Sequence, residues 1–186
     1  MMVHERGCRR RDRTLFGTAP ATLTPTPVHD LGLLLLRLVV GLSMAAHGTM
    51  KLFGWFGGPG LDATGKGFTM AGYPAGEAMA VMSSLSETLG GLGLALGLLT
   101  PLAGAALIGV FINILDVRGL SAYFPPKGVE LETVLFASVV ALTLTGPGRF
   151  SADHVLPVLR ESRARHALLA VGVGVVAGFV VFFLRD

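Results

Sequence analysis

Five apolar runs divide the chain, and polar, charged or glycine-rich stretches separate them. The runs lie at residues 31–50, 75–99, 101–122, 131–145 and 167–184, of which 131–145 is the shortest. A helix that crosses the hydrocarbon core of a bilayer needs about 20 predominantly apolar residues. The pattern therefore predicts an all-α fold, a polytopic transmembrane helix bundle with five spans.

The stretches between the runs carry signals for helix ends and turns. A glycine-rich loop is predicted after the first run and ends at Tyr73-Pro74. Thr100-Pro101 marks a tight break, because proline is well suited to the first turn of the helix that follows. Gly146-Pro147-Gly148 ends the fourth run. The second and third predicted connections are short, whereas the first and the last are longer.

The chain divides into four predicted regions. Residues 1–30 are basic and dotted with prolines, and they are expected to form a disordered cytoplasmic tail. Residues 31–155 form a four-helix transmembrane domain, and residues 156–166 a charged connector. Residues 167–186 add a C-terminal transmembrane helix.

Composition supports a membrane protein and excludes several other classes. Hydrophobic residues make up 52% of the chain and charged residues 15%, and the mean hydropathy is +0.66. Soluble domains typically carry about 25% charged residues. The arginines mostly flank apolar runs, so the net charge of +3 does not indicate nucleic acid. The single cysteine, Cys8, excludes an internal disulfide and a CxxC pair, and no metal-ligand cluster is found in the sequence.

The distribution of lysine and arginine predicts the orientation. With the N-terminus inside, nine of the 15 basic residues are cytoplasmic, five lie outside and Arg37 lies within a span. Cytoplasmic loops are enriched in lysine and arginine. The N-terminus is therefore predicted to be cytoplasmic and the C-terminus to be outside.

Polar side chains within the spans predict a polar seam inside the bundle, since ionisable groups in a membrane need a partner or a cavity. Arg37 shares a helical stripe with Gly41, Met44 and Gly48, a small-residue surface that is expected to pack closely on another helix. Glu87 is expected to be protonated or paired with Arg37. The predicted structural seam consists of Arg37, Ser83, Ser84, Asn113 and Asp116.

The stretch around the end of the first run holds the candidate binding residues. His47 and Lys51 are four residues apart, so they lie on one helical face. Glycines and the rings of Phe53, Trp55 and Phe56 follow. This arrangement suits either a planar or anionic ligand or an anchor at the membrane surface. The candidate ligand- or partner-binding residues are His47, Lys51, Trp55, Phe56 and Glu87.

Together these motifs resemble the DoxX family of small bacterial integral membrane proteins, whose core has four transmembrane helices. The matching pieces, within residues 31–155, are His47-Gly48, Lys51-Leu52-Phe53-Gly54-Trp55-Phe56-Gly57-Gly58, Ser86-Glu87 with Gly90-Gly91, Leu98-Leu99-Thr100-Pro101 and Gly146-Pro147-Gly148-Arg149-Phe150-Ser151-Ala152-Asp153. The resemblance implies a component of a redox system in the bacterial plasma membrane. The run at 167–184 lies outside that core.

Three functions remain open at this point. In the first, the protein is a quinone-linked redox subunit, in which His47 and Lys51 bind a quinone carbonyl, Trp55 or Phe56 stacks on the ring, and Glu87 handles the proton. In the second, it is a non-enzymatic scaffold that recruits soluble redox enzymes. In the third, the polar seam transports a small solute. Quinone is the candidate cofactor, and the expected partners are the lipid bilayer, soluble redox enzymes and further copies of the chain.

Overall fold

The computed structural model describes residues 27–119, 123–124, 128–155 and 163–185. Most of the predicted tail, including Cys8, and residues 156–162 of the predicted connector lie outside this part of the chain. The described residues form α-helices and one short 3-10 turn at Trp55–Gly57, and they contain no strand. The predicted all-α fold is confirmed.

The part of the chain that the structure describes contains seven α-helices. They are α1 (Pro27–Phe53), α2 (Gly60–Met70), α3 (Gly76–Leu96), α4 (Thr100–Arg118), α5 (Glu130–Thr145), α6 (Ala152–Val155) and α7 (Arg163–Phe183). Four of them are long and apolar enough to cross a membrane, namely α1, α3, α4 and residues Arg165–Phe183 of α7. Helix α5 has 16 residues and is shorter, although its bounds agree with the predicted run at 131–145.

The long helices alternate in direction. Gly41 of α1 lies beside Ala95 of α3, and Gly48 lies beside Ser84, so these two helices are antiparallel. Arg118 at the end of α4 forms an ion pair with Glu132 at the start of α5, at 3.1 Å. The bundle therefore has two ends, which we name after Lys51 and Thr100. The Lys51 end contains the C-termini of α1, α4 and α7, and the Thr100 end contains the N-termini of the same helices.

Small residues bring α1 and α3 into backbone contact. A Cβ atom placed on Gly41 would lie 2.6 Å from the carbonyl oxygen of Gly91, and one on Gly91 would lie 2.5 Å from the amide nitrogen of Ala45. No larger side chain fits there without moving the helices. The predicted close packing of the Gly41 and Gly48 stripe is confirmed. The buried apolar core lies beside this contact and comprises Val40, Met44, Leu94, Leu107, Ile108, Phe111, Val139 and Leu142.

Helix α7, which was predicted in addition to the four-helix core, packs against α4. A Cβ atom on Gly174 would lie 2.6 Å from the carbonyl oxygen of Ala105, and one on Gly178 would lie 3.2 Å from that of Gly109. The Asn113 side chain donates a hydrogen bond to the Gly178 carbonyl at 3.1 Å. Residues later in α7 contact residues later in α4, so the two helices run parallel. The run predicted as an addition to the core is therefore part of the bundle.

The structure differs from the prediction in the first connection. Residues 60–70 form helix α2, whereas a glycine-rich loop was predicted there. Glycine lowers helix propensity by roughly 1 kcal/mol relative to alanine, which hides such a helix in the sequence. In the structure, Gly65 is buried, and a Cβ atom there would lie 3.1 Å from the Glu77 Cα of α3. The glycines thus permit close packing of α2 on α3.

Candidate functional site: an apolar cavity at the Lys51 end

A cavity of about 530 Å³ lies between α2, α3, α4 and α7. Its walls are mostly apolar, with Phe68 from α2, Met79 and Met82 from α3, Val110 from α4 and Val181 from α7. Ligand pockets are typically apolar with a few well-placed polar groups. The polar side chains of the lining are Lys51, Thr64, Tyr73, Ser83, Ser86, Asn113 and Arg118.

Lys51 reaches this cavity while it holds an ion pair with Glu87. The Lys51 Nζ lies 2.5 Å from the Glu87 Oε1, and the Ser83 hydroxyl donates to the same oxygen at 3.4 Å. The Glu87 side chain is 1% exposed and that of Lys51 is 24% exposed. The second carboxylate oxygen of Glu87 is buried and receives no hydrogen bond from any described residue. An unpaired buried carboxylate oxygen is costly, so it is available for a proton or an incoming donor.

The tilt of helical side chains explains why Lys51 and Glu87 meet. Gly48 of α1 lies beside Ser84 and Thr88 of α3, which places Lys51 and Glu87 about one turn apart in height. Helical side chains lean toward the N-terminus of their own helix. On antiparallel helices the two side chains lean toward each other, and the long lysine side chain closes the remaining gap.

The predicted pairing of Arg37 with Glu87 is wrong. Arg37 is 1% exposed, and its Nε donates to the Ala95 carbonyl at 3.1 Å. Its two terminal nitrogens donate to the carbonyls of Pro147 and Phe150. Glu87 lies at the height of Gly48, which is about 17 Å along α1 from Arg37. The register between α1 and α3 separates the two charges. This register depends on how the two helices pack on each other, which the pattern of residues along one helix does not reveal.

A second group of polar residues lies where α4 contacts α7, and two of its members, Tyr73 and Asn113, line the cavity. The Tyr73 hydroxyl lies 3.0 Å from the Asn113 side-chain oxygen, and Arg185 forms an ion pair with Asp116. Burial, with the nearby Asp116 charge, raises the pKa of the Tyr73 hydroxyl, and the Arg185 charge opposes this rise. Asn113 and Asp116 were predicted as seam residues. Tyr73 and Arg185 were missed, because Tyr73 follows a glycine-rich stretch and Arg185 stands at the end of an apolar run, where a charged residue is common.

The remaining predicted residues lie elsewhere. Ser84 is buried and donates to the Ala80 carbonyl within α3 at 2.6 Å. His47 is exposed and does not line the cavity. Trp55 and Phe56 are 56% and 77% exposed, and neither lines the cavity. Phe56 has a left-handed backbone conformation with φ of 55°, which is unusual for a residue other than glycine. The structure thus brings Lys51, Glu87 and Ser83 together and leaves His47, Trp55 and Phe56 outside the site.

At the opposite, Thr100 end, two of the sequence motifs meet. The Asp153 carboxylate accepts hydrogen bonds from the backbone N–H groups of Leu99 and Thr100, at 2.7 and 2.9 Å. It therefore caps α4, where helical N–H groups have no partner within the helix. The Asp153 N–H donates to the Gly97 carbonyl at 2.8 Å. These contacts join the turn at 146–153 to the turn between α3 and α4, close to Arg37.

The geometry defines a multi-pass integral membrane protein with an apolar, lysine-containing cavity at one end of its helix bundle. Among the described residues, no group of three or more His, Cys, Asp or Glu side chains is placed to hold a metal ion.

The family model that matches the chain is DoxX, over residues 32–118, from α1 through α4. Over this segment the chain is similar to the DoxX family. No curated protein and no solved structure matches the chain. The matched segment contains Lys51, Glu87 and most of the cavity, whereas the turn at 146–153 and α7 lie beyond it.

Proposed function

We propose that the protein binds a quinone in the cavity at the Lys51 end and acts as a membrane subunit of a redox system. One observation carries the proposal: a lysine lines an apolar cavity while it is paired with a buried glutamate that keeps one oxygen free of internal hydrogen bonds. Ionisable residues within membrane segments are expensive and are usually functional.

The cavity suits the chemistry of a quinone. A quinone has two carbonyl oxygens that accept hydrogen bonds, a flat apolar ring and an apolar tail. The Lys51 ammonium and the hydroxyls of Ser83 and Ser86 are the donors on the α1–α3 side of the lining. Phe68 and Met82 supply apolar contact area for a ring. This set replaces the predicted one, since Lys51 keeps its proposed role while His47, Trp55 and Phe56 have none in it.

Reduction of a quinone to a hydroquinone requires two electrons and two protons, one proton for each carbonyl oxygen. The Lys51–Glu87 pair is the proposed proton-exchanging group, because a positioned acid or base must lie within hydrogen-bond reach of the group that it serves. The electrons come from a partner, and we propose a soluble redox enzyme as that partner.

Direct binding tests this function. The full chain in lipid nanodiscs should bind a decyl-substituted benzoquinone, and Lys51→Met should weaken binding by about tenfold, as expected when a buried donor to the ligand is lost. Lys51→Arg should retain most of the affinity. Lys66→Met is the matched control, because Lys66 lies at the same end in an exposed ion pair with Asp62 and does not line the cavity. Equal affinities for the Lys51→Met and Lys66→Met variants would refute the proposal.

A second candidate function is a scaffold that recruits soluble redox enzymes. The turn after α1 favours it, because Phe53, Trp55 and Phe56 are exposed and Phe56 is held in a strained conformation. Strained residues with exposed side chains often mark functional surfaces. Changing these three rings to serine should abolish retention of a redox enzyme in the scaffold case, and it should leave quinone binding unchanged.

We also propose a location in the bacterial plasma membrane with the N-terminus in the cytoplasm. The asymmetric distribution of lysine and arginine supports this orientation.

A further inference from the structure

We infer that Ala177 of α7 decides whether the cavity accepts the apolar tail of its ligand. The inference rests on the proposed quinone function, and it concerns a helix that lies beyond the family match at residues 32–118. Ala177 and Val181 are the two α7 residues in the cavity lining.

Ala177 faces free space within this lining. The Ala177 side chain is exposed, whereas the next residue, Gly178, is buried. Gly174 and Gly178 form the stripe that touches α4, and Ala177 and Val181 flank that stripe with a spacing of one helical turn. A larger side chain at position 177 therefore extends into the cavity without entering the α4–α7 contact.

Helix α7 is fixed in its rotation and height. The Asn113 side chain donates to the Gly178 carbonyl at 3.1 Å, and Arg185 pairs with Asp116 at the end of the helix. The backbone contact of Gly174 with Ala105 leaves no room for rotation. These contacts hold the wall that contains Ala177 against α4.

The polar head and the apolar tail have different places in the cavity. Lys51 enters from α1, which packs on α3, whereas Ala177 enters from α7, which packs on α4 and α5. Between them the lining contains Ala105, Ala106 and Gly109 of α4. These small residues leave room in the cavity for a hydrocarbon chain. A ring held at Lys51 therefore extends its tail past Ala177.

The test compares two quinones on the full chain in nanodiscs. Tetramethyl-benzoquinone carries no tail, and decyl-substituted benzoquinone carries a long one. Ala177→Phe should weaken binding of the tailed quinone by about tenfold, the size expected when a pocket loses room for part of its ligand. It should leave binding of the tail-free quinone nearly unchanged. Val180→Phe is the matched control, since Val180 lies on α7, is 54% exposed and does not line the cavity.

Three results would overturn the inference: equal losses for both quinones in Ala177→Phe, no loss for either, or the same selective loss in Val180→Phe. Lys51→Met in the same assay separates this inference from the proposed function. If Lys51→Met leaves both affinities intact while Ala177→Phe weakens binding of the tailed quinone alone, Lys51 does not bind the quinone ring and the role of Ala177 stands. If Lys51→Met weakens both affinities and Ala177→Phe is not selective, the role of Ala177 fails alone.

Discussion

Arg37 and Glu87 are both almost completely buried, and each is satisfied by a different set of partners. Arg37 binds three backbone carbonyls near the Thr100 end, while Glu87 binds Lys51 toward the other end. Mutations at sites without shared partners are additive within about 0.5 kcal/mol, and sites in contact couple by about 0.5–3 kcal/mol.

The first prediction follows from this separation. Arg37→Ala and Glu87→Ala should each lower the free energy of unfolding in detergent, because each leaves buried polar groups without partners. The loss of unfolding free energy in the Arg37→Ala/Glu87→Ala double variant should equal the sum of the two single losses. The losses in Lys51→Ala and Glu87→Ala should not add, because these two residues are in contact. Chemical unfolding of the single and double variants measures both cycles. A coupling of more than about 1 kcal/mol between positions 37 and 87 would contradict the separate contacts.

The second prediction concerns two glycines on α1. A Cβ atom at Gly41 would lie 2.6 Å from the Gly91 carbonyl oxygen, whereas one at Gly32 would meet nothing within 4 Å. Gly41→Ala should therefore cost about 1–3 kcal/mol through overpacking. Gly32→Ala should be neutral or stabilising by up to about 1 kcal/mol, since alanine favours helix. Unfolding in detergent compares the two, and equal effects would show that α1 and α3 are not in backbone contact.

The third prediction concerns the cap on α4. Asp153→Ala removes the acceptor for the N–H groups of Leu99 and Thr100 and should lower the free energy of unfolding by about 0.5–2 kcal/mol. Asp62→Ala is the control, because Asp62 forms an exposed pair with Lys66 on α2 and should change stability by no more than about 0.5 kcal/mol. Thermal unfolding of both variants provides the measurement. A loss for Asp153→Ala no larger than that of the control would exclude the cap.

The fourth prediction concerns topology. Because α1, α4 and α7 run in one direction and α3 and α5 in the other, reporters placed after Lys66 and after Asp186 should be on the same side of the membrane. A reporter at the N-terminus should be on the opposite side. Activity of fused alkaline phosphatase and green fluorescent protein distinguishes the two sides. Opposite results for Lys66 and Asp186 would mean that one of the later helices does not cross.

The fifth prediction concerns pH. The pKa of Tyr73 is raised in the folded protein, so the protonated phenol contributes stability that is fully present below the unfolded value of about 10. That contribution is lost as the pH rises from there through the folded pKa. Stability should therefore fall in this alkaline range, and Tyr73→Phe should flatten the fall. Absorbance of tyrosinate during titration supplies a second readout, in which Tyr73→Phe should remove the higher step. Loss of the step at the ordinary tyrosine pKa of about 10 in Tyr73→Phe, instead of a step at higher pH, would show that Tyr73 is not buried.

Much of the fold could be predicted from the sequence because its signals are local. The apolar runs gave the helices α1, α3, α4, α5 and α7, and the stripe of Gly41 and Gly48 indicated a close helix contact. Helix α2 was missed because its glycines suggest a loop when read alone. Their role depends on the neighbouring α3, which a local pattern does not contain.

The candidate site could be predicted only in part. Lys51 and Glu87 stand out as charges in apolar surroundings, and both belong to the site. Their pairing depends on the register of two antiparallel helices, so the sequence suggested Arg37 as the partner instead. His47 lies four residues before Lys51 on the same helical face, but this spacing does not show which of the two residues lines the cavity. Nothing in the sequence marks Ala177 as a site residue, because an alanine in an apolar run is common and only the structure shows that it lines a cavity.

The contacts of Arg37 have a consequence for the order of assembly. Pro147 and Phe150 follow Arg37 by 110 and 113 residues, so α1 is synthesised long before two of the carbonyls that hold its arginine. During insertion, the Arg37 guanidinium must rely on water, lipid phosphates or the insertion machinery, since a charge at that depth needs a partner. The joining of α1 to the turn at 146–150 is therefore a late event. Chains that stop before residue 147 lack two of the three carbonyls that hold Arg37 in the complete bundle.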